Sequence, residues 1–402
     1  MNTISSSVSD RRTATWNPRG NRRKLFGVIV AFVLVGAVAA PGLILTKFPG
    51  VAAHLVDDFL RPAFGDEHVA RLERVLFDAQ DCFDRLRGKR VDLRAIAPEE
   101  ASAAAPPSRH RDQERDNKAA VPLPMNLHFG LPDVKALPGE GVWKRIGRDG
   151  LVATFVRTDK VRPYAVVSIV RMPMRSLRLG MAAGLKQPGG QFGFPGPGKI
   201  TTDLQRNGRL VATFNGGFRY GDGHYGMQVE NARYAPIVPG FATAMIYRDG
   251  HAYIAKVNSD RLPKQVIAAR ENGPLLVANG RLDPRTSKQI WLWAGDRGGV
   301  YVTWRSGLGV LPNGDLVWAG GPSLTPAALG KAFVLAGCVN AMELDINLFW
   351  VRFTLYDWDG HKYKWRPLNK ELPDQGAVYL HGNEKDFFYL YRPESHIGNR
   401  SK

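Results

Sequence analysis

Two acidic residues towards the C-terminal end of this 402-residue chain have the type and spacing for catalysis. Glu343 and Asp345 lie two positions apart in the apolar stretch AMELDINLFWVRFTLY, which runs from Ala341 to Tyr356. On a strand such residues share a face, because side chains alternate with period two. Two carboxylates facing one way are what glycosyl chemistry or metal binding would need. The alternative is that both acids are solvated and pair with nearby Lys or Arg.

A glycine pair and an arginine offer groups that bind anions. The predicted strand Leu210–Phe214 leads into an Asn-Gly-Gly-Phe string that begins at Asn215. Consecutive glycines let backbone N–H groups approach an anion closely, although such strings are also common turns. Arg305 offers a planar guanidinium that suits phosphate. Its alternative role is a structural ion pair with Glu343 or Asp345.

Many short strands and few helices must position these groups. The apolar runs end at turn signals such as Asp249-Gly250, Asn279-Gly280 and Asn313-Gly314. One helix is predicted from an N-cap at Thr325, with a proline at its first position, to Gly337. The pattern predicts an α+β domain with a strand-rich mixed sheet and a few packed helices.

The segment before this domain predicts a membrane anchor. Residues 1–24 are polar and basic, and residues 25–45 carry no charge over a length that can span a bilayer. The basic flank predicts a cytoplasmic tail at 1–24, a single transmembrane helix at 25–45 and a domain outside the cytoplasm, at the cell membrane. Ala37-Val38-Ala39 resembles a signal-peptidase site, and residues 21–26 resemble a twin-arginine signal, so a cleaved leader is the alternative.

Three further regions follow the predicted anchor. Residues 46–96 contain an amphipathic helix near the membrane, predicted from Asp66 to about Leu86 with Asp66 as its N-cap. Residues 97–121 are rich in Ala, Pro, Glu and Arg without periodicity, which predicts a disordered linker. The catalytic domain is predicted over 122–395.

Charge and cysteine content narrow the partners. The formal net charge is +18, which favours anionic partners such as a phosphate-bearing polymer. No helix-turn-helix, zinc-finger or RNA-binding signature is found, so no nucleic-acid partner is expected. Cys82 and Cys338 form no metal motif, and a bridge between them is left open.

An ordered set of motifs resembles the phosphodiester glycosidase family between about residues 210 and 356. The set comprises the Asn-Gly-Gly-Phe string, an Asn-Gly-Pro-Leu-Leu-Val string from Asn272, Arg305-Ser306 with Gly309, the capped helix, and Leu344-Asp345. This chain departs from the family at Ile346 and Asn347, which replace two glycines, and at Glu343, which replaces an asparagine. It looks like a membrane-bound, actinobacterial-type branch.

The resemblance implies a hydrolase that cleaves a sugar from a glycosyl phosphodiester in a cell-envelope glycan. Phosphate is a good leaving group, so the site needs charge stabilisation at phosphate and an anion beside the oxocarbenium-like carbon. The catalytic residues would be Asp345, Glu343 and Arg305. The substrate-binding residues would be Asn215, Gly216, Gly217, Phe218, Ser306 and Asn347.

No cofactor is expected, although a divalent metal such as calcium at Asp345 is left open. The alternative function is a non-catalytic module that binds an anionic envelope polysaccharide. Its sugar-stacking candidates are Trp291, Trp293, Trp304, Trp350 and Trp358.

Overall fold

Short β-branched and aromatic runs build this protein as three sheets. The computed structural model describes residues 61–97, 124–127, 131, 134–147, 149–189, 195–294 and 301–394. Within this part of the chain the strands are β1 (Lys144–Arg145), β2 (Val152–Val156), β3 (Val167–Met172), β4 (Arg178–Ala182), β5 (Leu210–Asn215), β6 (Met227–Val229), β7 (Ala232–Ala235), β8 (Ala242–Tyr247), β9 (Ala252–Lys256), β10 (Val266–Asn272), β11 (Leu275–Ala278), β12 (Arg281–Leu282), β13 (Thr303–Val310), β14 (Leu316–Leu324), β15 (Asn340–Glu343), β16 (Phe353–Trp358), β17 (Tyr363–Pro367) and β18 (Phe387–Tyr391).

The first sheet has the order β1-β2-β3-β14-β13-β15-β11-β12. The second has the order β7-β6-β10-β8-β9, and the third has the order β17-β16-β5-β18-β4. The strand pairs in all three sheets are antiparallel. The prediction of a mixed sheet was therefore wrong. Seven of the fifteen neighbouring pairs are consecutive along the described chain, as in hairpins, and tight hairpins give antiparallel pairs.

The described helices are α1 (Arg61–Phe64), α2 (Asp66–Leu86), α3 (Leu93–Ile96), α4 (Thr202–Arg206), α5 (Pro326–Leu335) and α6 (Gly376–His381). Thr325 caps α5 as predicted, since its hydroxyl accepts a hydrogen bond from the N–H of Ala328 at 3.0 Å. α2 has the predicted bounds, but its N-cap is Gly65 rather than Asp66.

Helix α2 attaches to the sheets through polar contacts. The Asp81 carboxylate accepts two hydrogen bonds from Arg162, each 2.7 Å long, and one from the Tyr164 hydroxyl at 2.8 Å. Phe83 and Leu86, two apolar residues of the predicted amphipathic helix, are exposed. The apolar face of α2 therefore does not supply the main contact with the domain.

The main core is lined by buried residues of all three sheets, such as Leu308, Ala244 and Phe388. The ring of Phe214 on β5 stacks on Phe353 of β16 at 5.9 Å and on Phe388 of β18 at 5.3 Å. Trp318 on β14 lies 5.2 Å from Phe353 and brings the first sheet against them. Burying such aromatic area anchors the strands whose ends carry the site described below.

The transmembrane part of the fold prediction needs correction. In the described ranges, no helix combines the length and the apolar character needed to cross a bilayer. The described residues are strand-rich with few helices. The uncharged run at 25–45, the basic tail and most of the predicted linker lie outside the described residues.

The cysteines are unpaired in this fold. Cys82 is exposed on α2 and Cys338 is buried behind α5, and both are free thiols. Burial raises the pKa of the Cys338 thiol, as expected for a small core residue.

Candidate active site at the ends of four strands

Four strand ends from the first and third sheets meet beside Asp345. Strand β15 ends two residues before Asp345, and β5 ends at Asn215. In the antiparallel register Asn215 faces Phe387, so the residues that precede β18 lie at the end of β5. The start of β16 lies there too, because Phe353 faces Phe214.

These ends line a small cleft with a cavity of about 10 Å³, which has room for about one water molecule. Its walls are formed by Asn215, Gly216, Asp345, Trp350, Arg352, Tyr379, Asn383, Lys385 and Asp386.

The carboxylate of Asp345 faces this cleft. Its Oδ2 accepts a hydrogen bond from Nζ of Lys385, and its Oδ1 accepts one from the N–H of Ile346 at 2.9 Å. Burial raises the pKa of Asp345 to about 6, and the Lys385 ammonium opposes this rise. A carboxyl group that titrates near neutrality suits proton transfer.

Two cations flank an aromatic ring on the same cleft. Nζ of Lys385 lies 4.4 Å from the ring centroid of Trp350, and Cζ of Arg352 lies 5.2 Å from it. Nε of Arg352 donates to the carbonyl of Phe349 at 3.0 Å, which fixes the guanidinium. The cleft wall therefore holds two carboxylates, Asp345 and Asp386, and two positive groups of the kind that bind phosphate. The Asp386 carboxylate is paired with Arg270.

Asn215 and Ser306 hold the backbone of the site. Nδ2 of Asn215 donates to Oγ of Ser306 at 2.9 Å, and its Oδ1 accepts from the N–H of Arg352 at 3.2 Å. Oγ of Ser306 donates to the carbonyl of Asp345 at 3.0 Å. The structure thus brings both predicted residues to Asp345. Asn215 lines the cleft, whereas Ser306 is fully buried beneath it.

The backbone donors of the glycine pair are already in use. The N–H of Gly216 donates to the carbonyl of Asp386 at 3.1 Å, and the N–H of Gly217 donates to Oδ2 of Asp386 at 3.0 Å. The expectation that these N–H groups bind phosphate does not fit this geometry. The glycines are needed for close approach instead, since a Cβ on Gly216 would lie 2.0 Å from Oδ2 of Asp386. Phe218 is buried against Tyr225 rather than open to a ligand.

Glu343 and Arg305 lie behind the cleft rather than in its wall. Both side chains are fully buried, and Nη1 of Arg305 donates to Oε1 of Glu343 at 2.6 Å and to the carbonyl of Trp293 at 2.7 Å. Burial raises the pKa of Glu343 to about 7, against the effect of Arg305. The assignment of Arg305 as a phosphate clamp therefore needs correction, because its donors point into the protein.

The altered loop keeps a backbone shape that favours glycine. Asn347 has φ of +89°, in the left-handed region where Asn is tolerated better than most residues. Its N–H donates to the carbonyl of Trp304 at 2.9 Å, and its Oδ1 accepts from the N–H of Phe349 at 3.3 Å. The Asn347 side chain thus stabilises its own loop and does not line the cleft.

A metal site was left open at Asp345. In the described part of the chain, no group of three or more His, Cys, Asp or Glu side chains is placed to hold an ion. The charge partner of Asp345 is the Lys385 ammonium.

Comparisons with known proteins give only a distant likeness. No protein-family model matches this chain, and a search of curated proteins finds no match. Among solved structures, the chain is similar to the catalytic domain of zebrafish N-acetylglucosamine-1-phosphodiester alpha-N-acetylglucosaminidase, auto-inhibited by its pro-peptide. The identity is 14%, the TM-score is 0.38, and the match covers 61% of this chain and 84% of that chain.

It is also similar to a hypothetical protein from Synechocystis, at 10% identity and a TM-score of 0.32, over 60% of this chain and 62% of that one. At these values the likeness is a distant similarity of fold. No function or substrate follows from it.

Sequence reasoning missed half of the cleft. Lys385 and Asp386 follow Glu384 in a charged string before an aromatic run, which is typical of an exposed turn. Arg352 stands inside the apolar stretch 341–356, and nothing in the sequence marked it as a cleft residue. The available signal was a charged residue inside or beside an apolar run, because a buried charged side chain seldom lacks a partner.

Proposed function

We propose that this chain is a hydrolase that cleaves a sugar from a glycosyl phosphodiester, with Asp345 at the reacting carbon. One observation carries the proposal: Asp345, with its pKa raised by burial, faces a cleft that two cations, Lys385 and Arg352, also line. One acid beside two positive groups matches a substrate that joins a sugar to a phosphate.

In the proposed reaction, ionised Asp345 accepts a proton from a water molecule. The water oxygen then bonds to the anomeric carbon, while the bond from that carbon to the phosphate oxygen breaks. The electron pair leaves with the phosphate monoester, whose charge is balanced by Lys385 and Arg352. The products are a free sugar and a phosphate monoester, and the proton on Asp345 returns to solvent.

A second carboxylate is not essential to this scheme. Asp386 lies in the cleft wall, but its carboxylate is bound by Arg270 and Gly217. Glu343 is tied to Arg305. Phosphate leaves readily without strong protonation, so the Asp345 carboxylate alone suffices, in contrast to the two that ordinary glycosidases use.

The alternative is binding without turnover, and Trp350 favours it. A half-buried indole next to two cations suits an anionic sugar whether or not a bond is cleaved. Trp293, in contrast, is fully buried and leaves the set of stacking candidates.

The test uses UDP-activated sugars and simple glycosyl phosphodiesters as probes. We expect the wild-type protein to release free sugar, and Asp345→Asn to lower the rate by about a hundredfold or more with the fold retained. Asp315→Asn is the matched control, since Asp315 is a buried, ion-paired aspartate outside the cleft wall, bound to Arg171 at 2.7 Å. Saturable binding of these probes without sugar release would favour the binding module, and neither binding nor release would reject both functions.

A further inference from the structure

We propose that the buried ion pair between Arg270 and Asp386 is a positioning device that holds Asp345 and Lys385 in their working arrangement. The inference rests on the proposed function, in which these two residues act on the substrate. It assigns a role to two charged residues that take no part in the proposed reaction, although Asp386 also lines the cleft wall.

Arg270 grips Asp386 through a fork of hydrogen bonds. Its Nε donates to Oδ2 of Asp386 at 2.9 Å and its Nη2 to Oδ1 at 3.2 Å. The other donors reach the carbonyl of Glu271 at 2.8 Å and the carbonyl of Phe218. Both charged side chains are fully buried. Because Arg270 belongs to β10 and Asp386 precedes β18, the fork joins the second sheet to the third.

Two short paths lead from this fork to the reacting groups. The carbonyl of Asp386 accepts the N–H of Gly216 at 3.1 Å, and the carbonyl of Gly216 accepts the N–H of Asp345 at 2.8 Å. The second path is covalent, since Lys385 directly precedes Asp386. A shift of Asp386 therefore moves the Asp345 carboxylate and the Lys385 ammonium together.

The glycine pair packs closely against the ion pair, so the two paths allow little movement. A Cβ on Gly217 would lie 2.7 Å from Cζ of Arg270, and one on Gly216 would meet Asp386. The Asn-Gly-Gly string is thus pressed onto the ion pair and follows its position.

A buried ion pair contributes little net stability over apolar packing, because desolvation offsets the attraction. What it supplies is direction, since a bidentate fork holds its partner in one geometry. Catalysis is sensitive to displacements of about 1 Å, so such a geometry has functional value.

The charge environment of Asp345 provides a readout that does not need turnover. Lys385 favours its ionised form and Asp222 opposes it, while Arg352, Asp386 and the Glu343–Arg305 pair also lie nearby. If the fork fails, Lys385 is no longer held against Asp345. The pKa of Asp345 then rises, because it loses its stabilising cation.

The experiment compares Asp386→Asn and Arg270→Lys with Glu140→Gln. Glu140 forms an equally buried pair with Arg157 at 2.9 Å, outside the cleft wall. Selective ¹³C labelling of aspartate carboxyls gives the pKa of Asp345, with Asp345→Asn to assign its signal. Thermal unfolding, kcat and KM are measured on the same samples.

We expect both fork variants to lower kcat about tenfold or more per folded molecule. Arg270→Lys, which keeps the charges of the pair, should also raise the pKa of Asp345 by about one pH unit or more. Glu140→Gln should lose a similar amount of stability and change neither quantity. Arg270→Lys keeps the charge and one hydrogen bond, so it stays informative if Asp386→Asn does not fold.

Folded Arg270→Lys protein with the wild-type pKa of Asp345 would overturn the inference. The ion pair would then be a purely structural contact. If the wild-type protein hydrolyses no glycosyl phosphodiester, the proposed function fails instead. The NMR comparison still decides whether the fork positions Asp345 and Lys385.

Discussion

Nη1 of Arg305 lies 2.6 Å from Oε1 of Glu343, and neither side chain is exposed to solvent. Arg305 also donates from Nε to the carbonyl of Leu324 at 3.0 Å, so it ties β15 to the end of β14. A guanidinium used in this way supports the floor beneath Asp345. Its contribution is expected in stability rather than in contact with phosphate.

Replacement of Arg305 should therefore act on folding. Arg305→Ala leaves the Glu343 charge buried without its partner, which should lower the free energy of unfolding by about 3–5 kcal/mol. Arg305→Lys should also destabilise the protein while the folded fraction keeps its KM. Urea unfolding with a parallel KM measurement checks this. Full stability together with a raised KM for the phosphodiester would return Arg305 to the role of phosphate clamp.

Stability should fall as pH rises towards neutrality because of Glu343. Its pKa is raised by burial from 4.5 to about 7, so the folded protein still binds a proton that the unfolded chain has released. Asp345 acts with the same sign at lower pH, from 3.8 to about 6. Between about pH 6 and about pH 8 Glu343 contributes most of the fall, a loss of about 1 kcal/mol. Asp345 and Glu371, whose pKa burial also raises to about 6, contribute a smaller part near pH 6.

Glu343→Gln should reduce the pH dependence of the free energy of unfolding between about pH 6 and about pH 8. The amide oxygen still accepts from Arg305, and the change removes the Oε2 atom, for which the described residues provide no hydrogen-bond partner. Unfolding free energies measured across these pH values give the answer. An unchanged pH dependence in the variant would show that another group titrates there.

Substrate affinity should depend on the two cations of the cleft. We expect Arg352→Gln to raise KM about tenfold, since a charge-assisted hydrogen bond to phosphate is lost. Raising the salt concentration should weaken substrate binding in the wild type, and less so in the variant. Arg209→Gln, a change of a partly exposed arginine paired with Asp203 away from the cleft wall, is the control. An equal effect of both changes would reject Arg352 as a phosphate ligand.

Gly216 should tolerate no side chain. Gly216→Ala places a Cβ 2.0 Å from Oδ2 of Asp386, which should cost about 1–3 kcal/mol or more and disturb activity. Gly221→Ala is the matched control, because a Cβ there meets nothing within 4 Å. Thermal unfolding of both variants compares the two sites. Equal stability of the two would mean that Asp386 moves aside freely.

Local pattern was enough to find several elements. The Asn279-Gly280 turn was predicted, and both residues have positive φ, of 51° and 74°, between β11 and β12. The cap at Thr325 and the strand that leads into Asn215 were found for the same reason. Their signals depend on residues a few positions apart, and the backbone responds to them directly.

The apolar residues 348–356 show the limit of predicting strands from local pattern. Residues 348–356 form one apolar run in the sequence, but β16 begins only at Phe353, because the preceding residues form the loop that carries Trp350 and Arg352 into the cleft. Hydrophobicity alone does not separate a buried loop from a buried strand.

The amino-acid sequence by itself determined that Asp345 lies at a strand end and that Asn215 and Ser306 belong near it. Only the tertiary structure decided which acid faces the cleft, and which cations join it. Asp345 meets Lys385 forty residues later, and Arg270 meets Asp386 across 116 residues. Contacts of that range are set by strand order and register, which depend on the packing of the whole core and not on the neighbours of any one residue.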